Sequence, residues 1–532
     1  GILGLEATAE GPVFKKSGSS YLISYRYATL ALMNKMGINF GTAGNPSYQD
    51  FNFKWNLPMK HHMRFSVFAL GGKSDIAILS NGTDSTKWTY GRAGRDIHFG
   101  SAMALTGFSL QQNPRNGFYH SLTAGLNLNR SYSRYDTLAP DLSRGATYRN
   151  RFLVHKLIVH YQNTVRLSKR SSLKSGIIFT GLKMDLVDSN YYAAQKIWFN
   201  EAEYRNHTSQ WQLYSAYNYS VSDHLKFSTG IHYLRYQMNG SQALEPRFGL
   251  SWSPSSTDQF NLGYGLHSNL QPLYIYFLQE ADANGNPVQI NRNTGLTRSH
   301  HLVAGWGHTL GEGMKFKTEV YYQYLFHIPQ EISPSAYSPL NQGASFNFVF
   351  PHTLENKGRG RNAGVDLSLE KLFQRNWYAL LSASLYSSRY KGSDAIWRNT
   401  DFNGQFQFNV LSGKEFVVGK ARTARILTGF KFNIAGGKWY TPLDPVRSAE
   451  KNQYEGIDSL TNTLRFSPYH RLDIRLGFRK NLKKFTHTLS LDLINVYNRK
   501  NALGLSYIPS TKETVTEYNL GFLPLFNWLF EF

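Results

Sequence analysis

Apolar and polar side chains alternate with a period of two, in segments of about ten residues, from one end of the chain to the other. Across 51–57, Phe51, Phe53, Trp55 and Leu57 alternate with Asn52, Lys54 and Asn56. After a turn at 58–61, Met63, Phe65 and Val67 alternate with Arg64 and Ser66. The clearest hairpin lies at 246–267. Phe248, Leu250 and Trp252 face one way, a Pro254-Ser255-Ser256-Thr257-Asp258 turn reverses the chain, and Phe260, Leu262, Tyr264 and Leu266 follow in alternation. A soluble sandwich alternates too, but its buried face is mostly aliphatic. Here the apolar face is repeatedly closed by Trp, Tyr or Phe, as expected of the interfacial girdles of a membrane barrel.

Connections alternate in length. Short turns are predicted near 12–17, 58–61, 112–115, 168–171, 221–223, 254–258, 309–313, 372–376 and 481–484. Between them lie the stretches 29–47, 72–96, 132–147, 188–207, 269–298, 328–360, 435–468 and 498–519. This predicts an all-β fold: a transmembrane antiparallel β-barrel with short periplasmic turns, long extracellular loops and about 21 strands in this chain. Segment 400–434 leaves the count open by about two. The strand that begins at Ile2 and the strand that ends at Phe532 both run toward the short turns. An even-stranded barrel of about 22 therefore predicts a further strand upstream of Gly1, with residues 1–532 forming one barrel domain.

Composition fits this picture. Aromatics make up 15% of the 532 residues, with 34 Tyr, 35 Phe and 45 Gly, a mixture suited to a wall that meets lipid on one side and water on the other. No stretch approaches the roughly 20 apolar residues of a spanning helix. A chain that crosses the membrane without one must do so as a closed barrel. Cysteine is absent, which removes disulfides and thiolate chemistry. The net charge of +23 calls for anionic neighbours. No Lys/Arg-rich block or nucleic-acid motif accompanies it, so nucleic acid is not expected. Basic loops facing lipopolysaccharide phosphates and outer-membrane lipid account for the charge, as would a basic lumen that selects an anionic ligand.

Several segments resemble the TonB-dependent receptor family, in particular its Bacteroidetes forms. They are Ala9-Glu10-Gly11-Pro12 with the strand 20–27, Asn356-Lys357-Gly358-Arg359-Gly360, and Tyr390–Asp394 with Trp397-Arg398-Asn399. Leu411–Phe416 and Leu493–Asn501 complete the set. The resemblance implies an outer-membrane receptor that takes up a bulky nutrient, such as a siderophore, peptide or oligosaccharide, in a Gram-negative bacterium. It also implies an N-terminal plug and a segment contacting the TonB complex, both upstream of residue 1. A surface lipoprotein or other envelope subunits are further partners it allows. The alternative is a scaffold barrel in a larger outer-membrane complex without active transport. An open diffusion pore of this width would be hazardous.

The last strand places Phe526, Trp528, Phe530 and Phe532 on one face, resembling the signal read by the barrel-assembly machinery. Lumen-facing charge is expected at Asp366 and Glu370, and at Asp473 between Arg471 and Arg475. In the family such ladders hold a plug. Ligand contacts are expected in the long loops at Tyr274, Tyr276 and Phe277 and at Trp439, Tyr440 and Arg447; loop packing suits the same residues. No catalytic set, cofactor site or metal site is predicted. His61-His62 and His300-His301 cannot chelate one ion from a regular strand, because adjacent side chains point to opposite faces. Gly263 and Gly265 lie within a strand with no helix after them, which excludes a phosphate loop.

Overall fold

The computed structural model describes residues 4–14, 18–29, 46–79, 95–114, 117–138, 144–311, 313–343, 349–451, 453–508 and 511–532. Most of the predicted loops 29–47 and 72–96, and parts of the turns at 12–17, 112–115 and 309–313, lie outside the described residues.

One antiparallel sheet contains 22 strands, one of which is the three-residue strand Trp397–Asn399. The other 21 form the wall. They are β1 (Gly4–Phe14), β2 (Ser19–Thr29), β3 (Ser47–Met59), β4 (Met63–Ile78), β5 (Arg95–Gln112), β6 (Phe118–Leu138) and β7 (Arg144–Arg166). Next come β8 (Ser171–Tyr192), β9 (Ile197–Ser220), β10 (Leu225–Tyr236), β11 (Gln242–Trp252), β12 (Asp258–Asn269), β13 (Thr297–Gly311) and β14 (Met314–Glu331). The set closes with β15 (Leu354–Gln374), β16 (Trp377–Lys391), β17 (Phe406–Val418), β18 (Ala424–Ala435), β19 (Tyr469–Asn481), β20 (Thr486–Ile494) and β21 (Leu523–Glu531). Each pairs with its sequence neighbours, so consecutive strands share long hydrogen-bonded ladders. Among the described residues, β1 pairs with β2 alone and β21 with β20 alone.

Register sorts the two faces. Phe260 of β12 stands between Trp252 of β11 and Trp306 of β13, and Leu262 between Leu250 and Ala304. The other face carries Asn261, Gly263 and Gly265. Near the short turns, rings pack side by side around the wall: Trp252–Phe260 at 5.4 Å, Phe260–Trp306 at 6.3 Å and Trp306–Phe316 at 5.5 Å. Toward the other end, Tyr264, His300, Phe326 and Tyr324 form a second band. On β14, Phe316 and Phe326 are separated by roughly 34 Å of strand, or about 25 Å of height at a 40° tilt, the thickness of an apolar band. His300 thus belongs to a girdle, while His301 faces inward beside His267, with ring centroids 4.6 Å apart. His61 and His62 occupy an exposed turn with φ of 57° and 56°.

Glycine serves the wall where a ring crosses it. Tyr321 lies over its cross-strand partner Gly364, and a Cβ there would meet the Tyr321 hydroxyl at 2.5 Å. Such coverage replaces the packing that glycine lacks.

Two expected long loops are mostly strand. Residues 132–138 and 144–147 continue β6 and β7, and 188–192 and 197–207 continue β8 and β9, leaving a turn at 193–196. The reversals at 237–241 and 419–423 were not among the predicted connections. The second of these divides 400–434 into β17 and β18.

Candidate functional site

The long connections are tied to one another at the open end of the barrel. Segment 270–296 leaves β12 and enters a short 3-10 turn, Leu273–Phe277, preceded by Pro272 in an extended conformation. Pro272 fixes its own φ and so sets the direction of entry. Tyr274, Ile275, Tyr276, Phe277 and Leu278 are all buried. They pack on Leu182, Met184 and Leu186 of β8, Ala202 and Tyr204 of β9, and Tyr236 of β10. Phe277 stacks on Tyr204 with centroids 3.8 Å apart and planes at 14°. These wall residues share their face with Lys156 and Gln212, away from the outward Leu157, Phe179 and Trp211. The loop therefore covers the inner face.

Its polar groups are satisfied in place. The Tyr276 hydroxyl accepts from the Gln271 N–H at 3.0 Å. The Tyr274 hydroxyl donates to the Val349 carbonyl at 3.1 Å and accepts from Gln342 Nε2 at 3.1 Å. Burial pushes both phenols up to about 12, so they stay neutral. Tyr274, Tyr276 and Phe277, expected to face a ligand, present almost no free surface in this arrangement; their apolar area is spent on the wall.

Further ties run from loop to loop. Segment 332–353 meets the end of β16 through the Tyr390 hydroxyl, which donates to the Ala336 carbonyl at 2.9 Å, and segment 392–405 through the Ser335 N–H, which donates to Ser393 Oγ at 2.8 Å. Segment 392–405 meets segment 436–468 through Asn462 Nδ2, which donates to the Asn399 carbonyl at 3.0 Å, and Trp439 Nε1, which donates to the Asn403 carbonyl at 2.7 Å. Arg398, with 3% of its side chain exposed, pairs with Asp394. Trp439 is half-buried beneath the Arg465 guanidinium, 5.3 Å from its ring. Tyr440 stacks on Phe466 at 4.4 Å. Arg447 bridges Asp458 at 3.1 Å and Glu455 at 3.5 Å, and the Asp458 hydrogen bond raises its pKa. The two predicted loop groups thus sit in different segments, and among the described residues they are joined through the intervening loops. Sequence reasoning missed the pair Asp394–Arg398, four residues apart, and Asn403 and Asn462, whose partners Trp439 and Asn399 lie tens of residues away.

The expected lumen charges separate into two kinds. Asp473 pairs with Arg471 at 2.9 Å, but Arg475 turns to Asp492 of β20 with a 2.8 Å bond, so the three do not form a simple ladder. Asp366 stands opposite Glu319, and Glu370 opposite Lys315. Among the described residues, neither Asp366 nor Glu370 enters an ion pair. Phe526, Trp528 and Phe530 share the outward face of β21, Phe532 follows its end, and all four are exposed.

One loop contact is pH-sensitive. His352 Nδ1 lies 2.8 Å from Glu280 Oε1, and this hydrogen bond, more than the charge attraction, raises the imidazole pKa. A raised folded-state pKa makes the contribution complete below about 6.5, the ordinary value, and loses it as pH rises through the folded value. Hydrogen exchange at 279–289, corrected for intrinsic rates, should accelerate modestly from pH 6 to 9, and Glu280→Gln should remove that trend.

A 21-strand wall with long loops tied across one end has direct relatives. The family model described as "TonB dependent receptor-like, beta-barrel" matches residues 28–498. The chain belongs to the TonB-dependent receptor family. Its membership places it in the outer membrane of a Gram-negative bacterium, as an outer-membrane receptor. Solved structures with the same fold include the ferric preacinetobactin receptor BauA of Acinetobacter baumannii, at 10% identity and TM-score 0.67, covering 98% of this chain and 77% of that one. The ferric yersiniabactin uptake receptor FyuA of Yersinia pestis matches at 10% identity and TM-score 0.67, with coverages of 99% and 77%. The outer membrane transporter YddB of Escherichia coli matches at 12% identity and TM-score 0.67, with coverages of 99% and 74%. A search of curated protein sequences returns no match.

Proposed function

We propose that this receptor imports a bulky nutrient, a siderophore, peptide or oligosaccharide, driven by the TonB complex and without covalent chemistry. The observation that carries the reading is the inward-packed, mutually tied loop layer over a barrel of this family. Such a layer has to open for a large solute to enter. Relatives of the same fold are described as ferric siderophore receptors, which favours that class among the three.

An antiparallel ring needs an even number of strands. β1 and β21 are both odd-numbered and run the same way, so one strand antiparallel to both fits between them. We assign that strand, and a plug domain with the TonB-contacting segment, to sequence upstream of residue 1. The unpaired inner-face carboxylates Asp366 and Glu370, with the Arg471, Asp473 and Arg475 group, are the contacts proposed for the plug. Trp439, Tyr440 and Arg447 are proposed for the ligand when the layer opens, with Tyr274, Tyr276 and Phe277 holding it shut. The outward aromatics of β21 are proposed as the assembly-machinery signal, since an unpartnered edge can add a strand.

Uptake assays test the central claim. Deleting the gene should abolish uptake of one nutrient class, and collapsing the inner-membrane potential should have the same effect in wild-type cells. Uptake that survives collapse, or a deletion without effect on all three classes, would leave the scaffold alternative standing.

A further inference from the structure

We infer that His267 and His301 form a two-imidazole chelate for a divalent transition-metal ion, Cu2+ or Ni2+, on the inner wall below the covering segment 270–296. Adjacent histidines on one strand point to opposite faces, but residues on neighbouring strands can converge. His301 of β13 stands opposite Gly265 of β12, and His267, further along β12, stands opposite Ser299. The two imidazoles are therefore diagonal neighbours on the lumen face. Gly265 lets them meet. A Cβ at that position would lie 2.6 Å from His267 Nε2, so the His267 ring leans over bare backbone toward His301.

Their spacing suits one ion in a particular geometry. A metal–nitrogen bond of about 2.0 Å puts an imidazole centroid about 3.2 Å from the ion. Two such rings have centroids about 4.5 Å apart at a right angle and about 5.2 Å apart at the tetrahedral angle. The observed separation is 4.6 Å. A right angle between nitrogen ligands belongs to tetragonal Cu2+ and Ni2+ rather than to tetrahedral Zn2+.

Neither ring is engaged elsewhere. Among the described residues they contact each other, and neither takes part in a hydrogen bond. Other histidines on this face are held: His232 lies 2.9 Å from Glu245 Oε2 and 3.1 Å from Gln212 Oε1, and His160 lies 2.9 Å from the Tyr214 hydroxyl. Arg247, which faces Gly265 from β11, turns its charge to Glu245 at 3.0 Å. Beside the pair, Ser299 is 7% exposed and its hydroxyl has no hydrogen-bond partner. A buried hydroxyl left unmet is costly, and a metal-bound water would satisfy it. No third His, Asp or Glu completes a cluster among the described residues. The remaining coordination positions therefore fall to water, or to a donor atom on a solute in the lumen.

The test uses the native protein purified from outer membranes, stripped with a chelator and titrated with Cu2+, with electron paramagnetic resonance as the reading. The tightest site should show two imidazole nitrogens in its equatorial plane, an observation that depends on no variant folding. His267→Asn and His301→Asn should each weaken that site about a hundredfold, the loss expected when a chelate becomes a single contact. His300→Asn, next along the strand but in the outer girdle, should leave it unchanged, as should His61→Asn/His62→Asn at the exposed turn. The inference is overturned if the tightest site shows fewer than two imidazole nitrogens, or if either lumen variant binds as the wild type does. It is equally overturned if His300→Asn or the turn variant loses as much.

Discussion

Replacing Phe277 with alanine is expected to free segment 270–296 from the inner wall while leaving the barrel intact. Phe277 has no exposed surface and stacks on Tyr204 above Met184 and Leu186. Truncating such a ring costs about 3–5 kcal/mol through lost burial and the cavity left behind. The 3-10 turn has no side-chain cap and is held by the buried run Tyr274–Leu278, of which Phe277 supplies the stacked ring, so the cost falls on the loop. The wall rests on backbone ladders that the substitution does not touch. Hydrogen exchange and limited proteolysis should therefore rise across 270–296, with β8 and β9 still protected and heat-modifiable migration retained. Tyr276→Phe is the contrast: it loses only the bond from Gln271, worth about 1 kcal/mol, and should leave the loop closed. Unchanged protection in Phe277→Ala would mean that the polar ties to Val349 and Gln342 hold the layer shut, and would remove the latch role from the aromatics.

The same residues show what was legible beforehand. Alternation located the wall because lipid demands apolar side chains at every second position, as at Phe248, Leu250 and Trp252. Above the lipid that demand ends. Arg149, Arg151, Lys183 and Arg205 face water on strands that continue, so the extensions of β6–β9 read as loop. The tight reversal at 237–241 lies at the end where only long loops were sought. In the candidate site, Tyr274, Tyr276 and Phe277 were legible as important but not as buried, because the same side chains suit a ligand or a wall. The missing signal lay on β8. Leu182, Met184 and Leu186 form an apolar run on the inner face they share with Lys156 and Gln212. An apolar patch inside a barrel needs a cover, and the aromatic loop supplies it. The Asp394–Arg398 pair could not be found that way, since its worth depends on its enclosure and on where Asp458 is folded.

Arg398→Leu is expected to open the middle of the loop layer. The guanidinium is 3% exposed, donates to Asp394 Oδ1 at 2.8 Å and reaches toward the Asp458 carbonyl of the neighbouring segment at 3.5 Å. Its hydrogen bond to Asp394 depresses the carboxylate pKa. Removing one member of a pair this enclosed leaves the other unpaired, a loss of about 3 kcal/mol. Asp394→Asn/Arg398→Leu should recover part of it, because no lone charge remains. The sign of the pH dependence follows from the depressed pKa. The pair contributes fully above about 3.9, the ordinary carboxylate value, and fades as pH falls through the folded value. Exchange at 392–405 and 455–463 should rise in Arg398→Leu at neutral pH, and in the wild type only under acid. The response of 270–296 then decides how the layer moves. If its exchange rises in step, the ties through Tyr390, Ser393 and Gln342 transmit opening and the loops act as one lid. If it stays protected, the aromatic latch on β8 is an independent gate, and a ligand must release the two in turn.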